Sequence, residues 1–128
     1  MRVRLALYGV AVCVCSARIL SAQDATKVDP KHYTVVSEND QVRIVKIHYG
    51  AHEKSVMHSH PASVLVALTD GKGQFTFPDG TKKDFAFKAG DAQIGKPTTH
   101  LPENTSDAGM DLILVELKGA PGKPAKGD

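Results

Sequence analysis

Two histidines separated by one residue, His58-Ser59-His60, stand just ahead of Pro61. On an extended backbone, side chains alternate between faces, so positions i and i+2 point the same way and their rings can meet at one point. Neutral imidazole is a common ligand for zinc, iron, copper and nickel, and two of them make a partial metal site. A solvated pair in a polar loop has the same signature, so the H-x-H pattern alone leaves both readings open. His100 is the third ring of interest. His52 has the parity of His58 but lies six residues upstream, some 20 Å at roughly 3.3 Å per residue, which excludes it from the same point.

The other polar side chains carry more modest expectations. Glu53 has the opposite parity and should face solvent, and His32 and His48 read as surface residues. Gln93 and Glu103 are candidates to receive a histidine N–H, as metal-binding histidines usually require. Asn104 should brace a turn, Met57 should pack in the core, and Lys82-Lys83 should be solvated charges guarding a sheet edge.

The segments that must position these groups read as strands. Tyr33 to Ser37 is short and β-branched, and Val42 to Tyr49 alternates, with adjacent Ile44 and Val45 suggesting a bulge or burial on both sides. Val64 to Leu68 is uninterrupted apolar sequence, the pattern of a strand buried on both faces. Asp70-Gly71 turns the chain, after which Phe75 and Phe77 alternate with polar residues. Pro78-Asp79-Gly80 is a turn in which proline fixes φ and glycine takes the positive value. Phe85 and Phe87 alternate on the return strand, so all four phenylalanines fall in one hairpin. Gly90-Asp91 turns again and Leu112 to Leu117 is the last strand. Short strands, glycine-rich turns and no helical periodicity predict an all-β sandwich or barrel.

The ends bound the domain. Arg2 and Arg4, an apolar run from Leu5 to Cys15 and the small pair Ser21-Ala22 have the layout of a secretory signal peptide over residues 1–22, implying a secreted or periplasmic protein. The run is too short to span a bilayer. Removing it takes away Cys13 and Cys15, and with them any disulfide. It also leaves 13 basic residues against all 14 acidic ones, a net charge of about −1, which argues against nucleic acid or an anionic membrane as partner. Residues 23–31 and 119–128 read as polar tails, the second proline- and glycine-rich. The ordered domain is expected over 32–118, a size for which dimerisation or metal binding would add stability.

With the strands in place, the spacing resembles that of the cupins. Gly50, His58, His60 and Gly71, eleven residues after His60, match the first cupin motif. Gly90-Asp91, Pro97, His100 and Asn104 match the second, with its three-residue gap from histidine to asparagine kept. The resemblance implies a double-stranded β-helix with His58, His60 and His100 as ligands of a divalent metal (Fe, Zn, Mn, Ni or Cu). Two departures stand out. The family's glutamate ligand falls at Val64, with Ser63 beside it, and Thr98-Thr99 replaces a glycine in the turn before His100.

Three histidines without a carboxylate leave a divalent ion its full charge and open positions, which favours a small anionic or enolisable ligand. The resemblance therefore implies a dioxygenase-like metalloenzyme. A non-catalytic module binding a small ligand or a metal is the alternative. A sugar isomerase or epimerase is a weaker one, since no acid/base pair is evident. A homodimer is expected, with the Tyr33 to Ser37 strand adding to its partner's sheet.

Overall fold

The computed structural model describes residues 23–119. The expected signal segment 1–22 lies outside the described residues, as does the tail from residue 120. Within them the chain forms a short helix, α1 (Ala25–Val28), and nine strands: β1 (Tyr33–Glu38), β2 (Val42–Tyr49), β3 (His58–His60), β4 (Ser63–Ala67), β5 (Gly71–Thr76), β6 (Lys82–Phe87), β7 (Ala92–Gly95), β8 (Thr98–Asn104) and β9 (Met110–Leu117). Two antiparallel sheets face each other, with strand orders β1-β2-β9-β4-β7 and β3-β8-β5-β6. The expected all-β architecture is present.

Alternation on the five-stranded sheet sets the core. Val45, Ile47 and Tyr49 of β2 lie opposite Leu114, Leu112 and Met110 of β9, and Ala67 of β4 also lies opposite Leu112. All of these are buried, together with Tyr33 at the start of β1. The four-stranded sheet contributes differently: Phe85 and Phe87 of β6 pack against this cluster only in part, and His58 and His60 of β3 are buried polar groups. One end of the barrel is therefore packed solid, and the other is left open around the aromatic hairpin.

Several sequence expectations need correction. Residues 23–31 are no tail. Asp24 caps α1, its side chain accepting the Thr26 amide, and Ala25 is fully buried in the core. Ile44 and Val45 mark no bulge, since β2 pairs with β9 without interruption; the irregularity lies in β1, between Val35 and Ser37. β7 and β8, which carry no long apolar run, were invisible to periodicity.

Val64 does not face the barrel interior. Its neighbours across the ladder are Val115 and Ile94, and Ile94 is 86 % exposed. Ser63 and Leu65, of the opposite parity, face inward, and the sheet is half-buried on its outer side rather than enclosed on both. The family's glutamate position, Val64 by motif spacing, thus lands on the outer face; the chain crosses from one sheet to the other at Pro61-Ala62, so the face of β3 does not carry over to β4.

This parity gives a direct test. Val64→Glu should cost about 1 kcal/mol or less, because the carboxylate reaches water. Leu65→Glu should destabilise the metal-free protein by about 3 kcal/mol, because it faces the interior. Urea unfolding of both variants measures the difference; equal losses would refute the assignment of faces.

Candidate metal centre

His58 and His60 share a face of β3, and antiparallel pairing with β8 sets His100 directly opposite His58. Thr99 faces the other way, its hydroxyl 2.7 Å from that of Ser59. His100 is thus aimed by a strand ladder, and the altered turn at Thr98-Thr99 matters little. The ring centroids lie 4.7, 5.2 and 5.5 Å apart, and one nitrogen from each ring falls within 4.8 Å of the other two.

Hydrogen bonds fix which nitrogen of two rings is free. His58 Nδ1 lies 2.8 Å from the Val56 carbonyl oxygen, which can only accept, so Nδ1 carries the proton. His58 Nε2 is left bare, a buried side-chain nitrogen with no hydrogen-bond partner among the described residues. A buried imidazole nitrogen without a partner is costly, and a cation removes that cost. His60 Nδ1 lies 2.9 Å from Glu116 Oε1, and an ionised carboxylate likewise only accepts. His100 is held by stacking, its ring 4.6 Å from Phe75 at an angle of 17°. Three rings, two with Nε2 turned inward and one bare nitrogen buried, fit a divalent ion.

Glu116 is the functional residue that the sequence reading passed over. It is 2 % exposed and lies opposite Arg43 across the β2–β9 ladder, with Arg43 Nε donating to its Oε2 at 2.7 Å. Burial alone would raise its pKa; the hydrogen bonds from His60 and Arg43 outweigh burial and hold it below the usual carboxylate range. A signal was present in the sequence: Leu112, Leu114 and Glu116 alternate, as do Arg43, Val45 and Ile47, so two opposite charges occupy core parity on paired strands.

The other expectations divide. Gln93 lines the cavity above the histidines. Glu103 does not approach them and instead faces Lys54, 3.7 Å away. His52 sits in a turn at φ +57, bonded to Asp107 and outside the cluster. Asn104 does brace a turn: its amide donates to the Gly50 and Ala108 carbonyls at 2.8 Å and accepts from Ser106. His48 is exposed, as expected. His32 is not a surface residue; it is buried, stacks on Tyr49 at 4.3 Å and bridges Asp29 and Glu53. Glu53 is held there, also accepting the Gly50 amide and the Lys31 ammonium, and stays partly open to solvent. Lys83 lines the cavity mouth instead of merely guarding an edge.

The cavity, about 490 Å³, opens beside His60 and His100. Phe75, Phe77, Phe85 and Phe87 line it from one sheet, and Leu65, Ile47 and Leu114 from the other.

The solved structures most like this one share its architecture. A cupin domain from Bordetella pertussis Tohama I matches with a TM-score of 0.63 at 21 % identity, over 68 % of this chain and 92 % of that one. The fold is that of the cupins. A double-stranded β-helix protein from Klebsiella pneumoniae (TM-score 0.55, 24 % identity, 70 % and 78 % covered) and an RmlC-like cupin from Methanocaldococcus jannaschii (0.54, 16 %, 66 % and 77 %) agree. No family model and no curated protein matches the sequence.

Burial first, and then the neighbouring rings, depress the pKa of His58 to about 4 and of His100 to about 3. Both rings are neutral, and so competent to bind a metal, well below neutral pH. A histidine whose folded pKa is depressed stabilises the fold above its unfolded value of about 6.5 and withdraws that stability as pH falls towards the folded value. The metal-free protein should therefore lose stability between about pH 6.5 and pH 4. Its His58 and His100 ring resonances should not titrate until near the lower end. Two-dimensional NMR checks this; midpoints near 6.5 would refute it.

Proposed function

We propose that this protein is an exported metalloenzyme of the oxygenase type, acting on a small anionic or enolisable molecule with an apolar body. The observation that carries the reading is the bare, buried Nε2 of His58 beside His60 and His100, the two rings that line a cavity with largely apolar walls. A divalent ion held by His58, His60 and His100 would supply Lewis acidity and, if it were iron, manganese or copper, electrons for chemistry with dioxygen.

The chain's own residues account for the rest. No carboxylate faces the histidines from β4, where Ser63 and Leu65 point inward, so the open side of the centre is left to an incoming donor. The phenylalanine wall excludes water and offers flat faces to an apolar body. Gln93 provides one neutral amide for orientation, and Lys83 and Lys96 at the mouth favour an anion on entry. Walls so poor in hydrogen-bonding groups suit a sugar badly. A second reading, a module that binds such a molecule without turning it over, is favoured by one feature. Away from the mouth and the histidines, the polar lining groups Ser63, Gln93 and Thr98 do not titrate near neutrality.

A dimer belongs to the same proposal, supported by β1 at a sheet edge with Val35 and Val36 exposed.

Replacing His58, His60 or His100 by alanine should each abolish stoichiometric metal by elemental analysis, while His52→Ala retains it. Iron-loaded protein should consume oxygen with phenylpyruvate, an enolisable acid with a flat apolar body, and the His58→Ala protein should not. Saturable binding without oxygen uptake would instead establish the binding module; retention of metal by the three alanine variants would refute the centre.

A further inference from the structure

The segment from Gln23 to His32 reaches the backs of two of the three rings through hydrogen-bonded intermediaries. Ser59, the residue between His58 and His60, donates its amide to the Gln23 carbonyl at 2.8 Å, and Asp24 bridges to Ser59 in parallel. From this strap run two chains of hydrogen bonds. In the first, Asp24 accepts Arg43 Nη1 at 2.7 Å and Nη2 at 3.1 Å; Arg43 Nε donates to Glu116, and Glu116 accepts from His60. In the second, Asp29 Oδ2 accepts the Ser55 hydroxyl at 2.5 Å, and Ser55 Oγ lies 3.3 Å from His58 Nδ1.

Each chain has one self-consistent direction. Arginine only donates, so Asp24 and Glu116 must both be carboxylates that accept, and His60 must place its proton on Nδ1. Ser55 spends its single proton on Asp29, so towards His58 its oxygen can only accept, which again requires the proton on Nδ1. Both chains therefore favour the tautomer that leaves Nε2 free, the second by adding a 3.3 Å contact to the 2.8 Å bond from His58 Nδ1 to the Val56 carbonyl, and both begin in the strap. His32 and Thr26 hold the two acids in place, through Nδ1 to Asp29 at 2.7 Å and through the amide to Asp24 at 2.9 Å.

We infer that the strap is part of the metal centre, with Asp24 and Asp29 as positioning residues that set the tautomer and aim of His60 and His58. The inference rests on the three-histidine reading and extends it to residues 36 and 29 positions upstream of the rings they position. It also makes the coupling reciprocal: an ion that binds the oriented rings must tighten the strap.

The test uses zinc and cobalt as probes. Asp24→Asn, Asp29→Asn and Ser55→Ala should each weaken zinc binding about tenfold or more, the range for partners of ligating histidines. They should also shift the visible bands of the cobalt-loaded protein. Asp24→Glu, which keeps the carboxylate, should recover most of the affinity. Asp107→Asn, at the exposed partner of His52, should behave as the unaltered protein. If Asp29→Asn does not fold, Ser55→Ala breaks the same chain and leaves the Asp29–His32 pair intact. Zinc should slow hydrogen exchange at Ser59 and through residues 25–33 of the unaltered protein. Variants that melt earlier yet keep wild-type zinc affinity and cobalt bands would reduce the strap to a structural brace and overturn the inference alone. Failure of the unaltered protein to bind zinc or cobalt would overturn it together with the metal reading.

Discussion

A carboxylate buried between two paired strands needs a cation and hydrogen bonds, or it costs more than the fold can spare. Glu116 meets that demand on both oxygens, with Arg43 on one and His60 on the other. Much of the barrel's open end follows from this one arrangement. Arg43 must sit opposite Glu116, which fixes the β2–β9 register; its remaining donors need Asp24, which draws the N-terminal strap across the barrel. His60 is left with one proton arrangement. The interaction also joins the two sheets, since Glu116 belongs to the five-stranded sheet and His60 to the four-stranded one.

The uneven core has the same logic. The five-stranded sheet supplies nearly all the fully buried apolar side chains, and the four-stranded sheet supplies histidines and half-buried phenylalanines. Close packing at one end gives rigidity where the ligand-bearing strands begin. The space left at the other end is a cavity whose floor is polar and whose walls are not. Such a gradient suits a molecule with one anionic end.

What could be read from the sequence was what alternation and turn chemistry carry. The H-x-H pair, the phenylalanine hairpin, the Pro78-Asp79-Gly80 turn with Gly80 at φ +84, and the bracing role of Asn104 were all accessible. What was missed depends on pairings between distant strands. Arg43 and Glu116 are 73 residues apart, and only their ladder shows that each neutralises the other. His32 reads as a surface residue until Asp29 and Glu53 are seen to close on both of its nitrogens. Residues 23–31 have a tail's composition because they bury little apolar surface; their carboxylates dock on buried polar partners instead. Motif spacing puts the family's glutamate position at Val64, and only the β4 pairings show that Ser63 and Leu65 are the residues facing inward.

These features together explain how three uncharged rings can attract a cation. Behind them lie Asp24, Asp29 and Glu116 against the single guanidinium of Arg43, a surplus of negative charge at the backs of His58 and His60. Asp24 and Glu116 are held ionised, Asp24 at about 2, because hydrogen bonds from Arg43 and others outweigh the burial that would raise them. In a partly buried setting this field is poorly screened, so it acts on an ion at the ring nitrogens without occupying a coordination position. On the other side the cavity walls are largely apolar, and the exposed charged residues lining it are Lys83, Asp84 and Lys96. The charge therefore runs from negative behind the rings to apolar walls and a rim where two lysines outnumber one aspartate. An anion entering along that axis would meet one carboxylate, Asp84, against two lysines at the rim, and none beside the rings on β4. Placing the acids behind the rings rather than among them would let a cation be held while one side of the centre stays open.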